Sequence, residues 1–500
     1  MGIIQRQGIK NTISTYLGFF IGFINLLIIQ PYFLTPEEIG LTRLLFSFSF
    51  LISLFVPLGV TNLTTKYFPH FRNDENGHYG FLGFILLFPI IGFLIISVLL
   101  YVFKDFIISQ YIQQSKLFVD YYLYIFPLTF ILSLIGVINS YAFSLYKTTV
   151  PTFLNDVVTR IFSIILFSIY FLKLISLNWM IVGFVSIYFI QLVLLITYIL
   201  MVDKPKLKFD LAYIKSRNLN EMFFYSSLLA IASIASLGIK YMDAIFIGKY
   251  LPLGLVGIYS VAAFVPNIIE TPLYALERIT MPKISHSLAI DDLNAVKEIY
   301  DKNLKIVMLV GVLLFIGVNT NIEDLLRFLP QKYNDGGIIV NIISLSALFN
   351  LIAAGTPSII FNSRLYKVGV LLLIGLSFSA LFLNILLIPS FELTGAALAT
   401  LLSLAFYAIA RIIIVWKKYN LHPFNRAFFL IIIISTLIYL FIELININTG
   451  NLVINIIIRT LLTLVLFSVG LLKFRLVNEY LILLPENVSS LIKKYQNRFL

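Results

Sequence analysis

The chain is expected to be an all-α polytopic membrane protein with about 14 transmembrane helices, arranged as two pseudo-symmetric six-helix bundles plus two C-terminal helices. Three observations predict this. Apolar runs near or above ~18 residues recur from end to end, each long enough for a helix to cross the hydrocarbon core. The Lys and Arg residues gather on one side of the implied membrane. A series of short motifs also returns after a nearly constant offset, as in parallel-repeat transporters. Composition agrees: 60% of residues are hydrophobic and 12% charged, whereas a soluble domain is roughly 25% charged. Mean hydropathy is +0.97. The short alternating strands of an outer-membrane barrel do not dominate.

The first span is expected at 10–34 and ends in the turn TPEEIG. Spans two to six follow at about 41–63, 81–103, 118–143, 152–172 and 177–201. The segment MVDKPKLKFDLAYIKSRNLNE carries Lys204, Lys206, Lys208, Lys215 and Arg217. It reads as a cytoplasmic hinge loop between two halves. Spans seven and eight are expected at 222–247 and 253–280, then a short interfacial helix within 282–303. Spans nine to twelve fall near 304–321, 338–361, 368–388 and 394–416, and the last two at 424–445 and 452–472. The resulting organisation is an N-terminal lobe (1–201), a connecting loop (202–221), a C-terminal lobe (222–418), helices 13 and 14 (419–472) and a cytoplasmic tail (473–500).

With a cytoplasmic N-terminus, 25 of the 36 Lys and Arg fall in inner loops and termini, six in outer loops and five inside spans. That bias fixes both termini in the cytosol and requires an even number of spans. The net charge of +12 therefore reflects topology, and nucleic acid is not an expected partner. The first span has no small-residue cleavage motif and reads as a retained helix. With no cysteine, disulfide and thiolate chemistry are excluded.

The repeat is read from three matches. IIQPYFLTPEEIGLTRLL resembles AIFIGKYLPLGLVGIYSVAA, with Gly40 and Gly257 closing the two turns. Pro69 and Pro282 share an inner boundary, and Leu-Tyr-Lys recurs at 145–147 and 365–367.

Charges inside a bilayer mark partners or wet cavities. Arg160 lies about nine residues into span five, roughly 14 Å deep at 1.5 Å per residue. It forms a structural pair with Asp156, four residues earlier, or meets an anionic substrate group. Arg43 contacts headgroups or lines the outer mouth of a cleft. Lys240 and Asp243 pair on span seven or form half of a proton or sodium site. Glu270, deep in span eight between Pro266 and Pro272, and Asp156 are further ion-coupling candidates. Asn25 and Asn139 are polar groups at depth, suited to packing or to sugar hydroxyls. Arg411 is expected to snorkel to the inner surface, and Arg459 to touch lipid phosphate or Glu443. The four histidines show no metal-ligand spacing, and no Gly-rich phosphate loop is present. Neither an ATP-driven pump nor an enzyme is expected, and the outer loops are too short for a membrane glycosyltransferase. No cofactor or metal is expected; coupling to H+ or Na+ stays open.

The opening through LTPEEIGLTRLL, then PLGVTNLTTKYFP, and LTGAALAT at 393–400 resemble bacterial polysaccharide-biosynthesis membrane proteins of the O-antigen flippase type. These belong to the superfamily that also holds multidrug and toxic-compound extruders and lipid II flippases. The resemblance implies a V-shaped pair of lobes around a cavity. It implies translocation of an undecaprenyl-pyrophosphate-linked oligosaccharide across the bacterial plasma (inner) membrane, and a polysaccharide polymerase and glycosyltransferases as neighbours. Basic cavity residues face the pyrophosphate in such proteins; Arg43, Arg160 and Lys240 are the candidates by depth. A cation-coupled multidrug antiporter of the same fold is the alternative. A monomer is the default.

Overall fold

The computed structural model describes residues 3–203, 205–208, 210, 219–445 and 447–473. The expected tail from 474 onward and much of the expected hinge loop, including 211–218, lie outside the described residues. Every described element is helical. Among the described residues, ten helices are long and apolar enough to cross a membrane, or eleven with one bent pair counted as a single span. The protein is therefore a multi-pass membrane protein.

Two units are distinguished, 1–261 with 380–396, and 262–379 with 397–500. In the first unit, Thr35 caps helix Pro36–Ser53 through a capping box with Glu38. The sequence TPEEIG is thus a helix start rather than only a turn, because Thr at N-cap and Glu at N3 satisfy two orphan amides. The expected second span is interrupted. Leu58 and Gly59 adopt left-handed backbone between Pro36–Ser53 and Val60–Tyr67. The repeat glycines have a packing role: a Cβ at Gly40 would strike the Leu253 carbonyl, and one at Gly257 the Pro36 carbonyl. Only hydrogen lets these two helix starts touch reciprocally.

One end of this unit is fastened by a buried histidine. Residues 77–80 all take left-handed backbone, which brings His78 under the end of helix Leu177–Val202. The Asn73 amide donates to His78 Nδ1 at 3.0 Å. That leaves the proton on Nε2, which donates to Asp203 Oδ1 at 2.7 Å. Tyr141 donates to the other carboxylate oxygen. The Asp210 amide donates to the Tyr79 carbonyl at 3.1 Å, so the first residues of the connector lie against this turn. Burial raises the Asp203 pKa, but the hydrogen bonds from His78 and Tyr141 and the Arg72 charge outweigh it, and the net direction is down. A lowered folded value means the stabilisation is complete above the ordinary Asp value of about 3.9 and is lost as pH falls through the folded value. Hydrogen-exchange protection of the His78 and Asp210 amides is expected to collapse in that acid range, and Asp203→Asn to lack protection already at pH 7. Equal protection factors at pH 7 in the wild type and Asp203→Asn would refute the latch.

In the second unit, the expected interfacial helix within 282–303 is replaced by two longer elements. Helix Asn267–Ala289 continues through Pro282, and Leu293–Asn319 begins at the Asp292 cap. Polar residues there sit on extensions of membrane helices, which pattern alone could not separate from a surface helix. Pro266 ends the break that splits expected span eight. The core collects Ile269, Tyr300, Val307, Leu351, Val415 and Ile431, with Phe467 from the last helix. Helices Arg426–Ile445 and Leu452–Lys473 match the expected spans within two residues. Expected spans eleven and twelve form one helical run, Tyr366–Tyr419, broken by the backbone of Glu392. Straight, its 54 residues would reach about 81 Å. A Cβ at Gly395 would strike the Leu387 carbonyl, so the chain doubles back there.

Candidate functional site

The first unit places two half-buried arginines, Arg43 and Arg160, in one polar cluster. Helix Ile3–Ile24 widens into a π-turn at Asn25–Ile29, and the fifth expected span does the same at Leu154–Val158. Such turns are rare and concentrate at functional sites. Between them, Arg160 donates through Nη1 to the Gly18 carbonyl. A Cβ at Gly22 would overlap that guanidinium. The sequence GFFIG, a small-xxx-small pattern, is therefore a seat for an arginine. Asp156 accepts from Thr15 Oγ1 at 3.2 Å and acts electrostatically on Arg160. The first helix thus takes up both members of the expected pair.

Arg43 lies half-buried on helix Pro36–Ser53, with Nη2 3.4 Å from Gln30 Oε1. It is close enough to Arg160 for the two charges to interact, and Tyr188 and Tyr241 lie beside it. Phe46 stacks near both tyrosines, with centroids 5.4 Å from Tyr188 and 5.8 Å from Tyr241. Asn25, 7% exposed, has an Oδ1 that finds no partner among the described residues. The Asn139 Oδ1, elsewhere in this unit, likewise has none. Two guanidinium forks among aromatic rings in an apolar bundle can hold an anion with several oxygens, since arginine stays charged and bonds bidentately.

Lys240 is exposed. Asp243 accepts from Tyr259 at 2.7 Å and from Asn384 Nδ2 at 3.0 Å.

The second unit holds Glu270 in a network of its own. Asn350 donates to Glu270 at 2.8 Å and accepts from Arg411 Nη2 at 3.0 Å. Tyr274 donates to the other Glu270 oxygen at 2.8 Å. Arg411 does not snorkel: it is 5% exposed and lies 4.3 Å over the Tyr407 ring. Glu277, two turns beyond Glu270, and Glu270 itself act on its charge. Carboxylates within reach make an intramembrane arginine affordable where snorkelling would break the network. Arg459 also departs from expectation. It meets Asp324 at 3.0 Å and the carbonyls of Thr320 and Ile447 rather than lipid.

Asp74, His78 and Asp203 bring ligand atoms within 4.8 Å of one another. The proton on His78 Nε2 is committed to Asp203, whereas a metal would need a bare nitrogen there. The cluster fits a hydrogen-bonded latch better than a metal centre.

A family model described as "Polysaccharide biosynthesis protein" matches residues 32–329, more than half of the chain. An uncharacterized membrane protein of Methanocaldococcus jannaschii is 24% identical over 67% of this chain and 67% of its own length. A probable flippase of Haloferax volcanii, AglR, is 27% identical over 34% of this chain and 36% of its own length. Among solved structures, the lipid II flippase MurJ in an inward closed conformation superposes with a TM-score of 0.74 at 17% identity, covering 94% of this chain and 98% of that one. An inward-facing multidrug transporter of the MATE family superposes with a TM-score of 0.62 at 15% identity, covering 81% and 94%. The structural likenesses show a shared fold, and the match over 32–329 shows that the chain belongs to the polysaccharide biosynthesis protein family.

Proposed function

We propose that this protein is a flippase, not an enzyme, that moves an undecaprenyl-pyrophosphate-linked oligosaccharide from the cytoplasmic to the outer leaflet by alternating access. The observation that carries the reading is the Arg43–Arg160 cluster, with Tyr188 and Tyr241, buried in a membrane-spanning bundle. A pyrophosphate supplies the oxygens that two guanidinium forks can share. The similarity to MurJ and to AglR supports a lipid-linked glycan as cargo. The setting we propose is a bacterial inner membrane with both termini in the cytosol, beside glycan polymerase and glycosyltransferases, as a monomer.

Fourteen spans remain our reading of the topology. The broken pairs Pro36–Ser53 with Val60–Tyr67 and Leu253–Ala262 with Asn267–Ala289, helix Leu293–Asn319 and the second limb of Tyr366–Tyr419 would join the ten long apolar helices. Two six-helix bundles plus the final pair would follow. Coupling to H+ or Na+ rests on Asp243, Glu270 and Glu277, carboxylates inside spans that have polar neighbours able to relay a charge change. The same carboxylates and the MATE fold support the second reading, a cation-coupled drug antiporter.

Reconstitution separates the two. Purified protein in vesicles carrying a short-chain polyprenyl-pyrophosphate oligosaccharide is expected to expose the inner-leaflet pool to an impermeant glycosidase, well above protein-free vesicles. Ethidium efflux driven by a cation gradient, with no glycan exposure, would overturn the flippase in favour of the antiporter.

A further inference from the structure

A cavity of about 930 Å³ opens within the second unit, away from both charged clusters. It lies at the end of helix Leu293–Asn319, where the charge bias places the outer face of the membrane. Its volume falls within the roughly 300–1,000 Å³ of small-ligand pockets. In a chain this apolar the lining is unusual: Asn319, Glu323, Asn334, Asn341, Tyr439 and Arg459 all contribute.

Three features define what it can hold. Asn319 is 4% exposed; its Nδ2 donates to the Phe315 carbonyl at 2.7 Å, while its Oδ1 finds no partner among the described residues. A buried amide oxygen left unbonded carries a desolvation cost that a ligand hydroxyl can relieve. Arg459 has its charge neutralised by Asp324 and its remaining reach spent on two carbonyls, so it is wall rather than anion receptor. Glu323, Asp335 and Glu443 line the same cavity as Arg327, which already meets Asp324 at 3.5 Å. The balance disfavours a phosphate. The amides, carboxylates and the Tyr439 ring instead offer donors and acceptors at close spacing, as neighbouring hydroxyls on a sugar require.

We propose that this cavity binds the oligosaccharide portion of the cargo on the outer side. The assignment rests on the flippase reading and adds a second, phosphate-independent contact to it. Glycan held there is kept from sliding back while its carrier lipid completes the crossing.

The test uses full-length protein in detergent and, as probe, the oligosaccharide released by mild acid from the host's own lipid-linked pool. Saturation-transfer difference spectroscopy is expected to show binding to the wild type. Asn341→Leu and Glu323→Gln, both at exposed positions, are each expected to weaken it about tenfold, as the loss of one or two hydrogen bonds predicts. Arg160→Gln should bind the free sugar as the wild type does. No transfer to the wild type at millimolar glycan, or unchanged binding in the Asn341→Leu/Glu323→Gln double variant, overturns the assignment. Flipping measured on the same preparations separates the two readings. A wild type that flips but does not bind free glycan overturns only the cavity. One that binds with the expected mutational losses but does not flip supports the cavity and overturns the transport.

Discussion

Arg160→Gln is expected to slow glycan translocation about 10- to 100-fold, the span that follows from losing a charge-assisted hydrogen bond pair. Arg160→Lys should fall between. It keeps the charge but loses the planar fork that spans two phosphate oxygens. One nitrogen of Arg160 already serves the Gly18 carbonyl. A guanidinium offers five N–H donors, so anchoring and substrate contact are compatible. Gln can still donate to Gly18, so Arg160→Gln should unfold near the wild-type temperature in detergent. Gly22→Leu provides an independent approach. It leaves every charge in place and fills the seat of the guanidinium. It should slow translocation at least as much as Arg160→Gln. Unchanged flipping in both arginine variants would assign Arg160 to helix packing alone.

The legible part of this protein was the part set by bilayer thickness. Runs of apolar residues located Arg426–Ile445 and Leu452–Lys473 to within two residues, because a span must satisfy its own backbone and cannot stop early in hydrocarbon. Breaks inside spans were less legible. Tyr122–Tyr124 interrupts an expected span with residues that carry no turn signature, and Leu58 breaks another between Pro57 and Gly59, whereas the break at Glu392 falls in the gap between expected spans eleven and twelve. Neighbouring helices make those breaks tolerable, and neighbours are not visible in a one-dimensional pattern.

The candidate residues divide in the same way. Depth picked out Arg43 and Arg160, and the structure places their charges within reach of each other. Depth could not say that Arg160 would be seated on Gly18 and Gly22, although the four-residue glycine spacing was in view. It also misassigned Arg411, whose partners Asn350 and Glu270 come from positions 61 and 141 residues away. Long-range pairs of this kind are fixed by packing, and intramembrane arginines near a span end look alike whether they snorkel or pair.

Arg459→Met is expected to cause the largest loss of stability of any single change considered. Arg459 and Asp324 have side chains 13% and 3% exposed and meet at 3.0 Å. Removing one partner of such a pair leaves the other charge buried and unmatched, a cost of about 3–5 kcal/mol. Asp324→Asn should cost somewhat less, since the amide can still accept from the guanidinium while Arg327 loses its partner. Replacing both, as Arg459→Met with Asp324→Leu, removes two desolvated charges at once and should recover part of the loss. It should not recover all of it. The Thr320 and Ile447 carbonyls that Arg459 serves would be left without a donor, and an orphaned buried carbonyl costs about 1–3 kcal/mol. Denaturant unfolding in mixed micelles of the wild type, Arg459→Met, Asp324→Leu and the double variant, read as a double-mutant cycle, would measure the coupling directly. A single variant that loses less than about 1 kcal/mol would mean the pair behaves as a solvated surface bridge. The arginine would then not be the post that holds helix Leu452–Lys473 to the end of helix Leu293–Asn319.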